Sequence, residues 1–248
     1  MYYVVFDLEF NQDFSSLQKD YNRRNPAPNE IIQIGAVKLD AAFNFVDSFN
    51  SYIKPTFYEK VNPFITDLTG ISSEMLQNAG YFPEIFMEFI KFTGETDVVF
   101  CLWGTSDLKE LFRNVDAHNL TSKSLSRKYI NIQPFVSLYF NYSVKNLLRL
   151  EHAVKALNIP LTYSFHNAYY DALYTAEIFK IIYSPFMQPQ AYDPLEKEKR
   201  PPREPKKIID ADGLIKQFEK MYAREMSEEE KGIILLAYKM GKTGQFLK

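Results

Sequence analysis

The chain has 248 residues but only one cysteine, Cys101. No intrachain disulfide can form, and a thiolate zinc cluster is excluded because the common structural sites need two or more Cys. No apolar run approaches the roughly 18 residues needed to span a bilayer, so no membrane partner is expected. Basic residues are not in excess either: 29 Lys+Arg against 31 Asp+Glu give a formal charge of −2. A global electrostatic grip on a polyanion is therefore excluded, and such a ligand would need a local patch, metal ions or stacking. The chain does not open with a basic segment followed by a cleavable apolar one, and no internal repeat occurs. An intracellular, cytoplasmic soluble protein is the expectation.

What is present is apolar and aromatic. Hydrophobic residues make up 46% of the chain, with 21 Phe and 17 Tyr, enough for a substantial core that should absorb most of the rings. Residues 2–10 read as a strand, 11–30 as a polar loop carrying Lys19, Arg23 and Arg24, and 31–39 as a second strand. A short turn leads to a third strand within 45–55, which makes a hairpin and, with the first strand, a three-stranded meander. Pro63 suits a helix start and Gly70 a helix end; Ser72 suits a cap, and 82–92 has amphipathic 3/4 spacing. Strands at 97–103 and 128–132 alternate with helices beginning near Asp107 and at 145–157 and 168–183. This order predicts an α/β fold, a mixed five-stranded sheet flanked by helices, over residues 1–184. Residues 185–207 are Pro- and charge-rich and read as a linker or strap. Residues 208–248 form a helical extension too small to bury a good core unaided; its helices should dock on the main domain or on a protein partner.

The stretch VVFDLEF places Asp7 and Glu9 two residues apart on a strand that is otherwise apolar. Both then share one face, about 6.5–7 Å apart along the strand, an unfavourable pairing unless a cation lies between them. Two more acids occur where strand ends should meet: Asp107 in WGTSDLKEL, and Asp171 in HNAYYDA, five residues after His166. Carboxylates without Cys and with one nearby His favour Mg²⁺ or Mn²⁺ over zinc, and four acids can hold two such ions. A pair of ions suits in-line phosphoryl displacement, and a flexible His166 could take a proton from the attacking water near neutral pH. Each piece has a plainer reading: Asp107 as a helix cap, Asp171 as a partner of a helix dipole, and His118, His152 and even His166 as ordinary surface residues.

Together the motifs resemble the DEDDh 3′–5′ exonucleases of the RNase H-like superfamily. FDLEF, WGTSDLKEL and HNAYYDA follow the family's three motifs in order, the last matching H-x-A-x-x-D-A, and NPFITDLTGIS is similar to the segment between the first two. The form of the motifs looks closest to the subgroup of sporulation-inhibitor-like and short-RNA-trimming exonucleases. The resemblance covers residues 2–183. It implies that Asp7 bridges two metals, that Glu9 and Asp171 complete the first site, and that Asp107 holds the second. His166 would be the general base, and Leu8 and Phe10 would lie near the terminal nucleotide of a single-stranded RNA or DNA. Phe10 departs from the Thr that many members carry there. A catalytically silent binding module and an RNase H-like endonuclease are the rival readings. All four acids are retained, against the first; the His before the last Asp argues against the second.

Overall fold

The computed structural model describes residues 1–12, 25–94, 97–142, 147–194 and 210–242. Lys19, Arg23 and Arg24, and residues 195–207 of the strap, lie outside the described residues. The chain divides into two compact units, Met1–Glu196 and Lys197–Lys248.

The first unit is built on one sheet of β1 (Tyr2–Asn11), β2 (Glu30–Leu39), β3 (Phe45–Tyr52), β4 (Val98–Leu102), β5 (Lys128–Asn131) and β6 (Gln190–Ala191). The strand order is β3-β2-β1-β4-β5-β6. β2–β3 is antiparallel, as the short turn predicts, and β1–β2 is antiparallel, as the meander requires, whereas β1–β4 and β4–β5 are parallel. β6 pairs antiparallel with β5 through two residues. It lies inside the Pro-rich segment read as a strap, and two residues are too few to show a strand period.

Seven helices of this unit are described: α1 (Pro63–Thr69), α2 (Ser73–Leu76), α3 (Phe82–Thr93), α4 (Ser106–Ala117), α5 (Gln133–Tyr139), α6 (Leu150–Ala156) and α7 (Ala168–Ile182). Their ends follow local chemistry. The Asn62 side chain accepts the Phe64 N–H to start α1, and Gly70 closes it at φ 75°, a left-handed conformation that costs glycine least. Ser72 caps α2 as expected. α5 was not anticipated; seven residues with Pro near the start and several aromatic or β-branched positions carry little helical signal.

Side chains alternate along β1 and define two layers. Val4, Phe6 and Leu8 pack with Phe82, Phe86 and Phe89 of α3 and with Leu108, Leu111 and Phe112 of α4. Tyr3 and Val5 point the other way, into a cluster with Ala172, Ile178 and Phe179 of α7 and Val154 of α6. Phe6 meets Phe100 and Phe89 edge to face, with centroids 5.1 and 5.8 Å away. Each fully buried ring of this kind contributes roughly 1.5–3 kcal/mol from burial.

α7 lies unusually close to the sheet at one point. Gly35 of β2, the register partner of Asp7, faces the start of α7. A methyl group on Gly35 would lie 2.1 Å from the Tyr169 nitrogen and 2.2 Å from the Ala168 carbonyl carbon. Those are backbone atoms, so no rotamer change can relieve the clash.

The second unit is a pair of helices, α8 (Ala211–Tyr222) and α9 (Glu228–Lys242). The Asp210 carboxylate accepts the Gly213 N–H at 2.8 Å to cap α8. Ser227 and Glu230 form a reciprocal capping box at α9, with N–H to side-chain distances of 3.3 and 2.9 Å. Arg224 grips the Glu230 carboxylate with both terminal nitrogens.

Gly35→Ala should destabilise the protein by about 1–3 kcal/mol, the usual result of forcing extra volume into a packed contact. The expected outcome is a lower urea midpoint with an unchanged slope; a wild-type midpoint would show that α7 is not seated on β2 in this way.

Candidate metal centre

Asp7 and Glu9 continue the Tyr3–Val5 side of β1, so both carboxylates project toward the start of α7. A register irregularity between Glu9 and Phe10 ends the regular pairing just past them. α7 is held there by Gln33, the register partner of Glu9. Its side-chain oxygen accepts the Ala168 N–H at 3.1 Å, and its amide donates to Asn167 Oδ1 at 3.3 Å and Asn50 Oδ1 at 2.9 Å. Asn167 in turn accepts the N–H groups of Tyr169 and Tyr170 as the α7 cap. Asp171 therefore sits in the first turn of α7, 8% exposed. Asp107 arrives from the opposite layer. It follows β4 through Gly104, which takes φ 94° and whose N–H donates to Asn131 Oδ1 at 3.0 Å. The α4 cap position belongs to Thr105, so Asp107 is not the cap; it lies in the first turn, 6% exposed.

Oxygens of Asp7, Glu9 and Asp171 all lie within 4.8 Å of one another. Two ligands on opposite sides of a cation with bonds of about 2.1–2.4 Å are about 4.2–4.8 Å apart, so the three fit one coordination sphere. Asp107 is outside that triple, but its charge acts on Asp7 and Glu9. Among the described residues no Lys or Arg pairs with any of the four. Asp171 Oδ1 is buried without a hydrogen-bond partner. Burial, followed by repulsion from Asp107, Asp171 and Glu9, holds the Asp7 carboxyl well above the usual range. Burial and the charges of Asp171 and Asp107 push Glu9 up to about 8. Burial pushes Asp107 up to about 7, with Glu110 and Asp171 adding to it, and Asp171 up to about 6 against the lowering effect of the His166 N–H. An oxygen-only donor set, an orphaned carboxylate oxygen and unrelieved negative charge fit a hard divalent cation.

His166 is exposed beside this cluster in the left-handed region, φ 64°. Its backbone N–H donates to Asp171 Oδ2 at 3.1 Å. Leu8 is 3% exposed in the α3/α4 layer, and Phe10 packs partly buried against that same cluster. Gln33 and Gly35 belong to no motif in the sequence. Their signal was there: in IIQIG the positions alternating with the isoleucines carry an amide and no side chain, a face that accommodates close backbone approach rather than core.

The exonuclease family model RNase_T matches residues 4–179. The chain is 32% identical over 180 residues to a PolC-type DNA polymerase III of Clostridium perfringens, covering 72% of this chain and 11% of the polymerase. It thus spans about a tenth of that relative's length. Among solved structures it is similar to the nuclease domain of 3′hExo, a DEDDh family member bound to rAMP, with TM-score 0.65, 18% identity, and coverage of 77% of this chain and 96% of that one. E. coli Exonuclease I in complex with a dT13 oligonucleotide matches with TM-score 0.59 and 17% identity over 73% of this chain and 40% of that one.

The raised carboxyl pKa values set the sign of a pH effect. In the metal-free folded protein these groups bind protons up to pH 6–8, whereas in the unfolded chain they release them near pH 4. Their contribution to stability therefore falls as pH rises through that window. Metal-free Asp7→Asn should melt above the metal-free wild type at pH 8, by about 2–4 °C per kcal/mol of relieved repulsion, and the gap should close toward pH 5. Mn²⁺ should raise the melting point of the wild type but hardly that of the variant. Calorimetry showing a less stable Asp7→Asn protein at pH 8 would contradict the assigned charge cluster.

Proposed function

The chain belongs to the RNase_T exonuclease family, and from that membership we propose that it is a 3′–5′ exonuclease of the DEDDh type. It removes nucleoside 5′-monophosphates from the 3′ end of single-stranded RNA or DNA and depends on Mg²⁺ or Mn²⁺. The observation that carries this reading is the mutual approach, within 4.8 Å, of carboxylate oxygens from Asp7, Glu9 and Asp171, brought from two distant segments. The likeness to nucleases described with rAMP and with a dT13 oligonucleotide supports a single-stranded substrate. Cytoplasmic residence belongs to the same proposal; it accords with a lone buried thiol, Cys101.

Asp7, Glu9 and Asp171 would hold one ion, and Asp7 with Asp107 would hold a second. When bound, the two ions supply charge stabilisation to the attacking and leaving oxygens of an in-line displacement. His166 takes the proton of the attacking water, the general-base role an imidazole most often fills. Its exposed position lets it reach a water on the substrate side, while its main chain stays fixed to Asp171. Phe10, partly exposed, would meet the terminal nucleotide, and Leu8 belongs to the core cluster against which Phe10 packs. Stacking of this kind discriminates little among bases.

With Mn²⁺, a 5′-labelled oligonucleotide should give a descending ladder, while a 3′-labelled one should release labelled mononucleotide at once. The reverse pattern, or internal cuts, would refute the assigned polarity. His166→Ala should lower turnover by about 10²–10⁴-fold with Mn²⁺ binding retained, and Asp7→Ala should abolish metal-dependent turnover.

A further inference from the structure

The loop that delivers His166 is surface chain with little core of its own: residues 160–164 are exposed. It is nevertheless fastened at several points, all on the first two turns of α7. The Tyr163 N–H donates to the Tyr174 hydroxyl at 2.8 Å, and the same hydroxyl donates to the Tyr163 carbonyl at 2.8 Å. The Tyr163 ring stacks on Tyr170 with centroids 4.4 Å apart and planes 7° from parallel. Phe165 stacks on Tyr174 at 5.0 Å. The last fastening is the His166 N–H on Asp171. Tyr170 and Tyr174 are one helical turn apart and flank Asp171, so one strip of α7 carries both the carboxylate and the anchors of the histidine loop.

We infer that Tyr174 is a positioning residue that acts through His166: its hydroxyl clamps the peptide of Tyr163 and thereby sets where the imidazole stands relative to the carboxylates. The inference rests on the general-base reading of His166. Tyr174 is 3% exposed, and a buried phenol normally needs a partner for its hydroxyl; here the partners are both main-chain polar groups of one loop residue, Tyr163. His166 keeps a left-handed backbone that a non-glycine residue holds only when its surroundings over-determine it. The two-point clamp holds the chain three residues before His166, and the bond to Asp171 holds the His166 N–H itself. The resulting arrangement is preorganised, unlike the flexible histidine expected from the motif alone.

Tyr174→Phe keeps the ring stacked on Phe165 and removes only the clamp. In the 248-residue chain, kcat on a single-stranded oligonucleotide should fall by about tenfold or more, since a misplacement of about 1 Å can cost 10²-fold. KM and Mn²⁺ affinity should not change, because Asp171 stays in place. Hydrogen exchange of the 160–166 peptide should accelerate. The double variant His166→Ala/Tyr174→Phe should be no slower than His166→Ala alone, as expected of two residues acting as one unit. Wild-type kcat in Tyr174→Phe, unchanged loop exchange, or losses that multiply in the double variant would overturn the inference. Failure of the underlying reading shows separately, as a His166→Ala enzyme with wild-type turnover.

Discussion

Asp7, Glu9 and Asp171 repel one another, and Asp107 adds a further charge from the other layer. Two unit charges 4 Å apart interact by about 4 kcal/mol at an effective dielectric of 20, while an entire domain is stable by about 5–15 kcal/mol. Three or four fully ionised carboxylates at this separation would consume much of that margin. The cluster can therefore persist only with its charge reduced, by bound protons or by cations. The raised pKa values of Glu9, Asp107 and Asp171 are the proton solution. A divalent cation is the other, and the partnerless oxygen of Asp171 remains available to it.

Holding the charges in register against repulsion falls to the backbone. β1 is central, hydrogen-bonded to β2 on one side and β4 on the other, so Asp7 and Glu9 cannot drift apart without breaking the sheet. α7 has no such ladder. It is located by the absence of a side chain at Gly35, which allows main-chain contact, and by Gln33, which fixes the first peptide of the helix. Asp107 is set by the β4–α4 turn, where Asn131 ties down Gly104. Three separate devices thus converge at the carboxyl ends of β1 and β4, the place where open α/β sheets gather their chemistry.

The strands bearing Asp7 and Val99, and the helices over Phe82–Thr93 and Ala168–Ile182, were legible in the sequence from their apolar runs and spacing. α5 and β6 were not, because seven and two residues cannot express a period. Within the site, Asp7 and Glu9 announced themselves by interrupting an apolar run, since a buried charge violates the pattern around it, whereas Asp107 and Asp171 were legible from their places at helix starts after strand ends and in the motifs. Gln33 and Gly35 also broke the pattern of β2, but silently: a glycine marks close approach without naming what approaches, and its partner lies more than 130 residues away. Tyr174 gave no signal, because a tyrosine on a core-facing helix reads as packing. Its role depends on a main-chain partner in a loop that sequence alone does not bring near.

The same charge logic extends to the proposed nucleic-acid substrate. A chain of net charge −2 with its acids gathered at the reacting end repels phosphates there until cations reverse the sign. On the proposed reading, catalysis and terminal-phosphate binding would be one event, because ions that stabilise the displacement would also make the site attractive to a polyanion. Only contacts upstream of the terminus can be independent of metal, through basic side chains or stacked rings. Metal-free protein should therefore keep at most weak, salt-sensitive affinity for long strands and lose affinity for the shortest ones. This division follows from the position of the acids and requires no base-specific contact anywhere on the surface.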